Sequence, residues 1–401
     1  MRRSVAAAGI VGAVATAALV IALASVLGGS ATARLPSPTP AQSPTGSASP
    51  STAPSSTSAP PASPAALPTP TPAPTPTPGP SLVAGPLDGL PTTAAAARRH
   101  PIAVMVDDLS PARPQSGFSS ASIVWQAPAE GGIPRYMMIF NENLPRSVGP
   151  IRSSRLYFIA WAAEWRAVYV HVGGSPQALA TLRSKGHGQL VYNADGFVYE
   201  GRYLYRIATR LAPHNEYSDA KNLTRLTAAV GAKDGTLQPA WKFGPAAPLA
   251  DRPKGGTIDV SFPANHIHYA YDRVSNTYRR SVAVEGAQHD AATGQRVAPT
   301  NVVAMVMHFG PLNDGHPDKK RLEAQFVGSG PAWISTNGVT VRGTWRKASI
   351  GGPTRLFDRH GRPVTLTAGQ TFVQVVESAT QLRFVAGKPV IVPPRPGAGV
   401  N

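Results

Sequence analysis

The feature that most limits how this chain can fold is a long uncharged stretch in its first quarter. Between Leu35 and Leu87 there is no charged residue, and Pro, Ser, Thr and Ala dominate. Such a stretch has too little bulky apolar surface to offset the entropy of ordering. We therefore predict a disordered tether over residues 35–90. The alternation of proline with Thr or Ala from Pro68 to Pro78 favours polyproline II, the conformation of a semi-rigid spacer.

The first 34 residues have the layout of an export signal. Arg2 and Arg3 precede an uncharged apolar segment, Val5–Leu27, and an Ala-x-Ala site ends at Ala33. The apolar segment is also long enough to span a bilayer. It is therefore either cleaved after Ala33 or retained as a membrane anchor. In both cases the preceding arginines place the rest of the chain outside the cytoplasm.

Composition excludes some classes of site and indicates the sign of the charge that a binding partner carries. The chain has no cysteine, which excludes disulfides, thiolate zinc sites, a cysteine nucleophile and a lipid-modified N-terminal cysteine. Its formal net charge is +17. A basic protein outside the membrane attracts anionic lipid headgroups, anionic wall polymers and acidic glycans. Nothing in the sequence selects a specific nucleic acid or a particular protein partner.

Strand and helix signals alternate over residues 91–240. Helices are expected from Ser153 and Ser154 to about Trp165, and after the N-cap Ser175 with Pro176 at the first helical position. This alternation predicts an α/β domain with a mixed sheet. Four short apolar runs predict buried strands, the middle two forming a hairpin: Pro101–Val106, Ile123–Ala127, Tyr136–Phe140 and Ala167–Val172.

Residues 241–401 have a different pattern. Short runs rich in β-branched and aromatic residues, such as His266–Tyr271, Asn301–Val306 and Thr371–Val376, alternate with glycine-containing turns. The pattern predicts a predominantly β C-terminal domain. The boundary between the two domains is expected between Gly231 and Pro253.

Arginines concentrate at turns and at a helix start in the α/β domain. Arg152 and Arg155 lie where the first long helix is expected to begin, a position at which the helix dipole already favours an anion. Arginines at this end need a negatively charged partner. Either a bound carboxylate or phosphate, or a buried pairing with Glu130 or Asp107, satisfies that need.

Two histidines lie beside glycine-containing or proline-containing loop signals. His171 ends a predicted strand before a glycine turn, and His214 lies in a loop beside Asn215. Together with Glu130 they are candidates for a general base, a metal ligand or an oxyanion-side donor. The alternative is a hydrogen-bonded structural role for each imidazole.

No cofactor or metal site is predicted. The sequence has no zincin helix, no Gly-x-Ser-x-Gly elbow and no phosphate-binding glycine loop. The histidines of the C-terminal half suggest a metal only by their number. Among the tryptophans, Trp345 beside Arg346 and Lys347 is the expected surface residue, and the others are expected mainly in the core.

Short motifs are spread over nearly all of the predicted folded region: Pro101–Asp108, Ala112–Gly117, Glu130–Gly132, Val148–Arg155, His171–Ser175, Ala212–Asn215, Tyr269, Tyr271–Asp272, Tyr278–Arg280, His289–Asp290, Thr293–Gly294, Asn301–Val303 and Gly343–Trp345. With this combination of motifs, the region resembles the YerB-like bacterial lipoprotein family (domain of unknown function 3048, N-terminal and C-terminal parts). The resemblance implies an extracytoplasmic two-part protein and provides no catalytic assignment. Members are commonly lipoproteins, so in this cysteine-free chain Val5–Leu27 must replace the lipid anchor or anchoring is lost.

Two main hypotheses of function follow. In the first, an envelope binding protein holds an anionic glycan or phosphate-bearing ligand in a cleft lined by Arg113, Arg135, Arg152, Arg155, His171, His214 and Asn215. In the second, a hydrolase or transferase acts on cell-wall material, with His171 or His214 as base and Glu130 as partner. A scaffold for a membrane protein is a third option. Contact of Glu130 with an imidazole would favour the enzyme, whereas its pairing with Arg135 or Arg152 would favour a structural role.

Overall fold

The computed structural model describes residues 81–390. The predicted export signal and most of the predicted tether lie outside these residues. Within 81–390, no helix has both the length and the apolar character needed to cross a membrane.

A mixed ten-stranded sheet is the centre of the described region. Its strands are β3 (Ile102–Asp107), β4 (Ile123–Glu130), β5 (Ile133–Phe140), β6 (Val168–His171), β7 (Tyr192–Asp195), β15 (Asn301–Val306), β18 (Gly328–Thr336), β19 (Val339–Lys347), β20 (Arg355–Asp358) and β22 (Thr371–Val376). The spatial order is β20-β19-β18-β15-β22-β4-β5-β3-β6-β7. The strands β15, β22 and β4 are parallel to one another, as are β3, β6 and β7.

A five-stranded antiparallel sheet packs against one face of the large sheet. It consists of β11 (Thr257–Phe262), β12 (Asn265–Asp272), β13 (Thr277–Val282), β14 (Gly286–Ala287) and β23 (Leu382–Val385), in the order β14-β13-β12-β11-β23. The other strands of residues 81–390 form four two-stranded pairs: β1 (Leu82–Ala84) with β2 (Pro91–Thr93), β8 (Tyr205–Arg206) with β9 (Glu216–Tyr217), β10 (Lys242–Gly244) with β21 (Thr365–Thr367), and β16 (Phe309–Pro311) with β17 (Leu322–Ala324).

The helices are short and pack on both faces of the large sheet. They are α1 (Ala94–Arg98), α2 (Leu156–Ala162), α3 (Pro176–Lys185), α4 (Gly196–Tyr199) and α5 (Ala220–Ala229). Single 3₁₀ turns occur at Ser110–Ala112, Phe118–Ser120, Ala163–Trp165, Leu249–Asp251, Pro317–Lys319 and Ala379–Gln381. The apolar side chains of α2 and α3 join one core cluster, whereas those of α5 join a second cluster with the five-stranded sheet.

The predicted fold class, with a mixed sheet in the α/β part and a β-rich C-terminal part, is confirmed. The hairpin of β4 and β5 and the Ser175 cap of α3 also match the sequence prediction. The start of α2 differs, because its N-cap is Arg155 rather than a serine. The hydroxyl of Ser154 instead lies 3.0 Å from the hydroxyl of Tyr169. A tertiary contact has replaced the local capping bond.

Strands from both predicted domains share the large sheet. For example, β22 pairs in parallel with β4, which places Thr371 beside Ile123. The large sheet thus contains strands from both sides of the predicted boundary near residue 240. The division into two domains at that position stays a prediction.

The ordered structure begins earlier than residue 91. Leu87 and Asp88, which the sequence analysis assigns to the tether, are buried. The backbone N–H of Leu87 donates to Oε1 of Glu142 at 2.8 Å, and this carboxylate also accepts from Ser122. The last residues of the predicted tether are therefore fixed by contacts that local composition does not reveal.

Asp88 gives the fold a testable pH dependence. Burial, together with the negative charge of Glu142, raises the pKa of Asp88 to about 6. Because the folded protein holds this proton more tightly than the unfolded chain, the stabilisation is complete below the unfolded-state pKa, about 4, and is lost as the pH rises through about 6. We expect Asp88→Asn to remove this decrease in thermal stability, measured as Tm across that pH range. Asp251→Asn, at an exposed carboxylate, should retain it, and an unchanged decrease in Asp88→Asn would contradict the assignment.

Candidate functional site

The polar residues of interest lie at one end of the large sheet. The parallel strands β3 and β6 end there with Asp107 and His171, and β4 ends beside them with Glu130. Loops at the carboxyl ends of parallel strands are where open α/β sheets place ligands. We call the set Asp107, Glu130, Arg135, Arg152, Arg155 and His214 the arginine edge.

Asp107 is the hub of one half of the arginine edge. Its side chain is fully buried, and Oδ2 lies 2.9 Å from Nε of Arg152 and 2.7 Å from Nδ1 of His214. Arg152 and His214 keep 23% and 17% of their side-chain surface exposed, so the pair opens to solvent. Because a carboxylate only accepts hydrogen bonds, Nδ1 of His214 donates to Asp107. Nε2 is the ring nitrogen on the side away from Asp107.

Glu130 is the hub of the other half. Its carboxylate is 2.7 Å from Nη2 of Arg135 and pairs closely with Arg155. Arg135 also donates to the hydroxyl and carbonyl oxygens of Ser153, at 2.6 and 3.0 Å. Burial lowers the pKa of both guanidinium groups, an effect of their withdrawal from water. By the criterion stated above, this network favours a structural role for Glu130.

Register joins the two halves into one cluster. Asp107 on β3 is the direct cross-strand partner of Arg135 on β5. A further ion pair, between Arg321 and Asp314 at 2.5 Å, adjoins the arginine edge. An isolated β-bridge pairs the backbone of Arg321 with that of Glu130, and the charges of Arg321 and Asp314 both act on Arg155. Four guanidinium groups therefore face three carboxylates, which leaves the cluster one positive charge in excess.

His171 lies at the same end of the sheet with both ring nitrogens occupied. Its side chain is fully buried, with Nδ1 2.7 Å from the carbonyl oxygen of Gly173 and Nε2 2.8 Å from Oδ1 of Asn193. Within residues 81–390, neither His171 nor His214 forms a hydrogen bond or an ion pair with Glu130. The catalytic role of the predicted His/Glu pair stays a prediction.

Arg113 and Asn215 have partners outside the arginine edge. Arg113 lies 3.1 Å from Asp108 and 2.7 Å from Glu285, beside a cleft of about 450 Å³. Asn215 accepts from Arg206 at 2.8 Å, and Arg206 also pairs with a glutamate of β9. Of the predicted binding residues, Arg135, Arg152, Arg155 and His214 thus pair with Asp107 or Glu130, whereas Arg113, His171 and Asn215 have other partners. Their roles in ligand binding stay predictions.

The sequence indicates Asp107 as a partner for arginine but does not indicate it as the partner of His214. The sequence feature that could have indicated this contact is the position of Asp107 at the end of an otherwise apolar strand. Polar side chains at the carboxyl ends of parallel strands lie close to those of neighbouring loops. In the described residues there is no group of three or more metal-ligating side chains.

Comparison with known proteins assigns the chain to a family. Residues 87–233 match the model described as "Protein of unknown function (DUF3048) N-terminal domain", and residues 258–373 match the corresponding C-terminal domain. "Putative lipoprotein YerB" of Bacillus subtilis (strain 168) is 29% identical over 300 residues, which cover 73% of this chain and 85% of that protein. The crystal structure of the Bacillus subtilis YerB protein matches with a TM-score of 0.68 and 26% identity, over 76% of this chain and 99% of that one. The chain thus belongs to the YerB-like family, with both its N-terminal and its C-terminal parts.

Proposed function

We propose that the protein acts outside the cytoplasm, at the cell envelope, and binds a phosphate-bearing polymer or anionic glycan at the arginine edge. The name of the Bacillus relative, "Putative lipoprotein YerB", supports the location, as does the predicted export signal in the sequence. In this chain the apolar segment Val5–Leu27 replaces the lipid as the anchor or is removed on export.

The excess of guanidinium groups carries the proposal. Four guanidinium groups lie beside the carboxylates of Asp107, Glu130 and Asp314, which leaves one positive charge uncompensated. An anionic oxygen bound at the solvent-accessible side of the cluster would offset that charge. Arg152 and His214, which are half-buried, supply the solvent-accessible side of such a site.

Arg152→Ala tests the proposal. It removes the accessible guanidinium group without cutting the pairing of Glu130 with its two arginines. We expect the affinity for poly(glycerol phosphate) to fall about tenfold or more, the value of one lost charge-assisted contact. Isothermal titration calorimetry with the intact chain measures it, with dextran as the uncharged polymer.

The matched control is Arg362→Ala, which removes the same charge from a side chain that is 74% exposed and distant in sequence. It should leave the affinity nearly unchanged. Equal losses of affinity in the two variants would mean that the net charge of the protein attracts the polymer, and would contradict a site at the arginine edge.

A second candidate function rests on the pair of Asp107 and His214. A buried carboxylate that orients a half-buried imidazole is the arrangement of a general base. In this proposal Asp107, rather than Glu130, is the partner of the base. Cleavage of a wall polymer by the native protein, abolished in His214→Asn but retained in Arg362→Ala, would favour this candidate over simple binding.

A further inference from the structure

Trp333 differs from the other five tryptophans of the chain. Those five are buried, including Trp345, which is 2% exposed and donates its Nε1–H to the carbonyl oxygen of Val306 at 2.8 Å. The prediction of a surface role for Trp345 is therefore wrong, because this side chain points into the core. Trp333, on β18, is only half-buried.

Trp333 forms an aromatic platform with a residue of the other sheet. The ring of Phe384, on β23, lies nearly parallel to it, with 5.8 Å between centroids and 16° between planes. Arg342, the cross-strand partner of Trp333 on β19, lies with its guanidinium carbon 5.7 Å from the tryptophan ring. The platform is part of a groove of about 630 Å³, which is also lined by Pro253 and Val339. We call it the Trp333 groove.

The rim of the Trp333 groove carries charged side chains of both signs. Arg342 and Asp251 both line it and are exposed. Neither side chain forms an ion pair or a side-chain hydrogen bond with another of residues 81–390. Among residues 81–390, the groove therefore presents the unpaired donors of Arg342 and the unpaired acceptor of Asp251 beside Trp333 and Phe384.

The groove is separate from the arginine edge. The turn at Asn337 and Gly338 joins β18 to β19 at the end of the large sheet where β15 and β22 begin. Asp107 lies at the opposite end, because β3 and β4 are both antiparallel to β5 and β4 is parallel to β22. A ligand in the groove is thus independent of the function proposed above.

We propose that the Trp333 groove binds a pyranose-based glycan chain. The C–H face of a pyranose ring packs on aromatic rings, and its hydroxyl groups both donate and accept hydrogen bonds. They therefore match Arg342 and Asp251 at the same time. A proline-rich peptide such as the uncharged residues 68–78 of this chain also packs on aromatic rings. Its prolines have no N–H, however, so only its threonines and Ala73 can donate to Asp251.

Tryptophan fluorescence of the intact chain tests this inference. Because the other five tryptophans are buried, quenching by acrylamide reports mainly on Trp333. We expect a hexasaccharide of β-1,4-linked N-acetylglucosamine to protect the fluorescence from quenching. Trp333→Ala should weaken binding of this hexasaccharide at least about tenfold by calorimetry, since a stacking platform is lost.

Two control variants separate the groove from other surfaces. Phe197→Ala removes an aromatic ring that is 75% exposed and does not line the groove, and it should bind like the native protein. Arg152→Ala, at the arginine edge, should also leave hexasaccharide binding unchanged. Hexasaccharide binding that survives in Trp333→Ala, no binding by the native chain, or preferential binding of a peptide of residues 68–78 would each overturn the proposal.

Discussion

Glu164→Ala is expected to lower the free energy of unfolding by about 3–5 kcal/mol, because it leaves a buried ammonium group without its counter-ion. Nζ of Lys347 lies 3.0 Å from Oε1 of Glu164, and both side chains are completely buried. The carboxylate also accepts from the backbone N–H and the hydroxyl of Thr354, at 3.0 and 2.6 Å. The pair connects the 3₁₀ turn Ala163–Trp165, which follows α2, to β19. Urea denaturation at neutral pH measures the loss.

The double variant Glu164→Leu with Lys347→Met is the control for this prediction. Replacing a buried ion pair by apolar groups of similar volume is often neutral or stabilising, whereas removing one partner is not. We expect the double variant to recover most of the stability lost in Glu164→Ala. A single variant that loses less than about 1 kcal/mol would show that Lys347 finds water or another partner, against the burial seen here.

The fold class could be predicted because the central strands are buried on both faces. Such strands appear in the sequence as continuous apolar runs, as in Ile102–Asp107 and Thr371–Val376, where every residue is buried. The pairing of β22 with β4 could not be predicted, because it joins residues almost 250 positions apart. Local sequence patterns indicate where strands form, but the packing of the whole chain determines which strands pair.

The candidate site was predictable residue by residue but not pair by pair. Arginines and carboxylates at strand ends indicated a charged cluster, yet the contact of Asp107 with His214 spans 107 positions. The position of Arg135 opposite Asp107 depends on the register of β3 and β5. Partners of this kind follow from sheet order, which the sequence alone does not specify.

The same limit applies to Arg280, whose sequence context, a basic pair in a polar stretch, is typical of a surface. Alternation along β13 instead places Arg279 outside and Arg280 inside. Arg280 is completely buried between the two sheets. Its guanidinium group donates to the hydroxyls of Tyr269 and Tyr136, at 3.0 and 2.9 Å.

Two glutamines complete the environment of Arg280. Gln288 contacts it closely, and Oε1 of Gln126 accepts from Nη2 at 2.8 Å. The amide of Gln126 in turn donates to Oδ2 of Asp108 at 2.6 Å, so one side chain links the buried cation to a buried carboxylate. Burial raises the pKa of Asp108, despite the opposing charges of Arg113 and Arg280. Loss of Arg280 would therefore remove a counter-charge that Asp108 needs.

Arg280→Met is expected to destabilise the fold by about 3–5 kcal/mol, because it leaves buried acceptors without donors and Asp108 with less positive charge nearby. Arg279→Ala, at the adjacent position, provides the matched control. Its side chain is 60% exposed and pairs with Asp272, so its loss should cost no more than about 1 kcal/mol. Urea denaturation of both variants measures the difference. Similar losses in the two variants would mean that Arg280 does not join the two sheets. A large loss confined to Arg280→Met would show that the hydrogen bonds of Arg280 help to hold the five-stranded sheet against the large sheet.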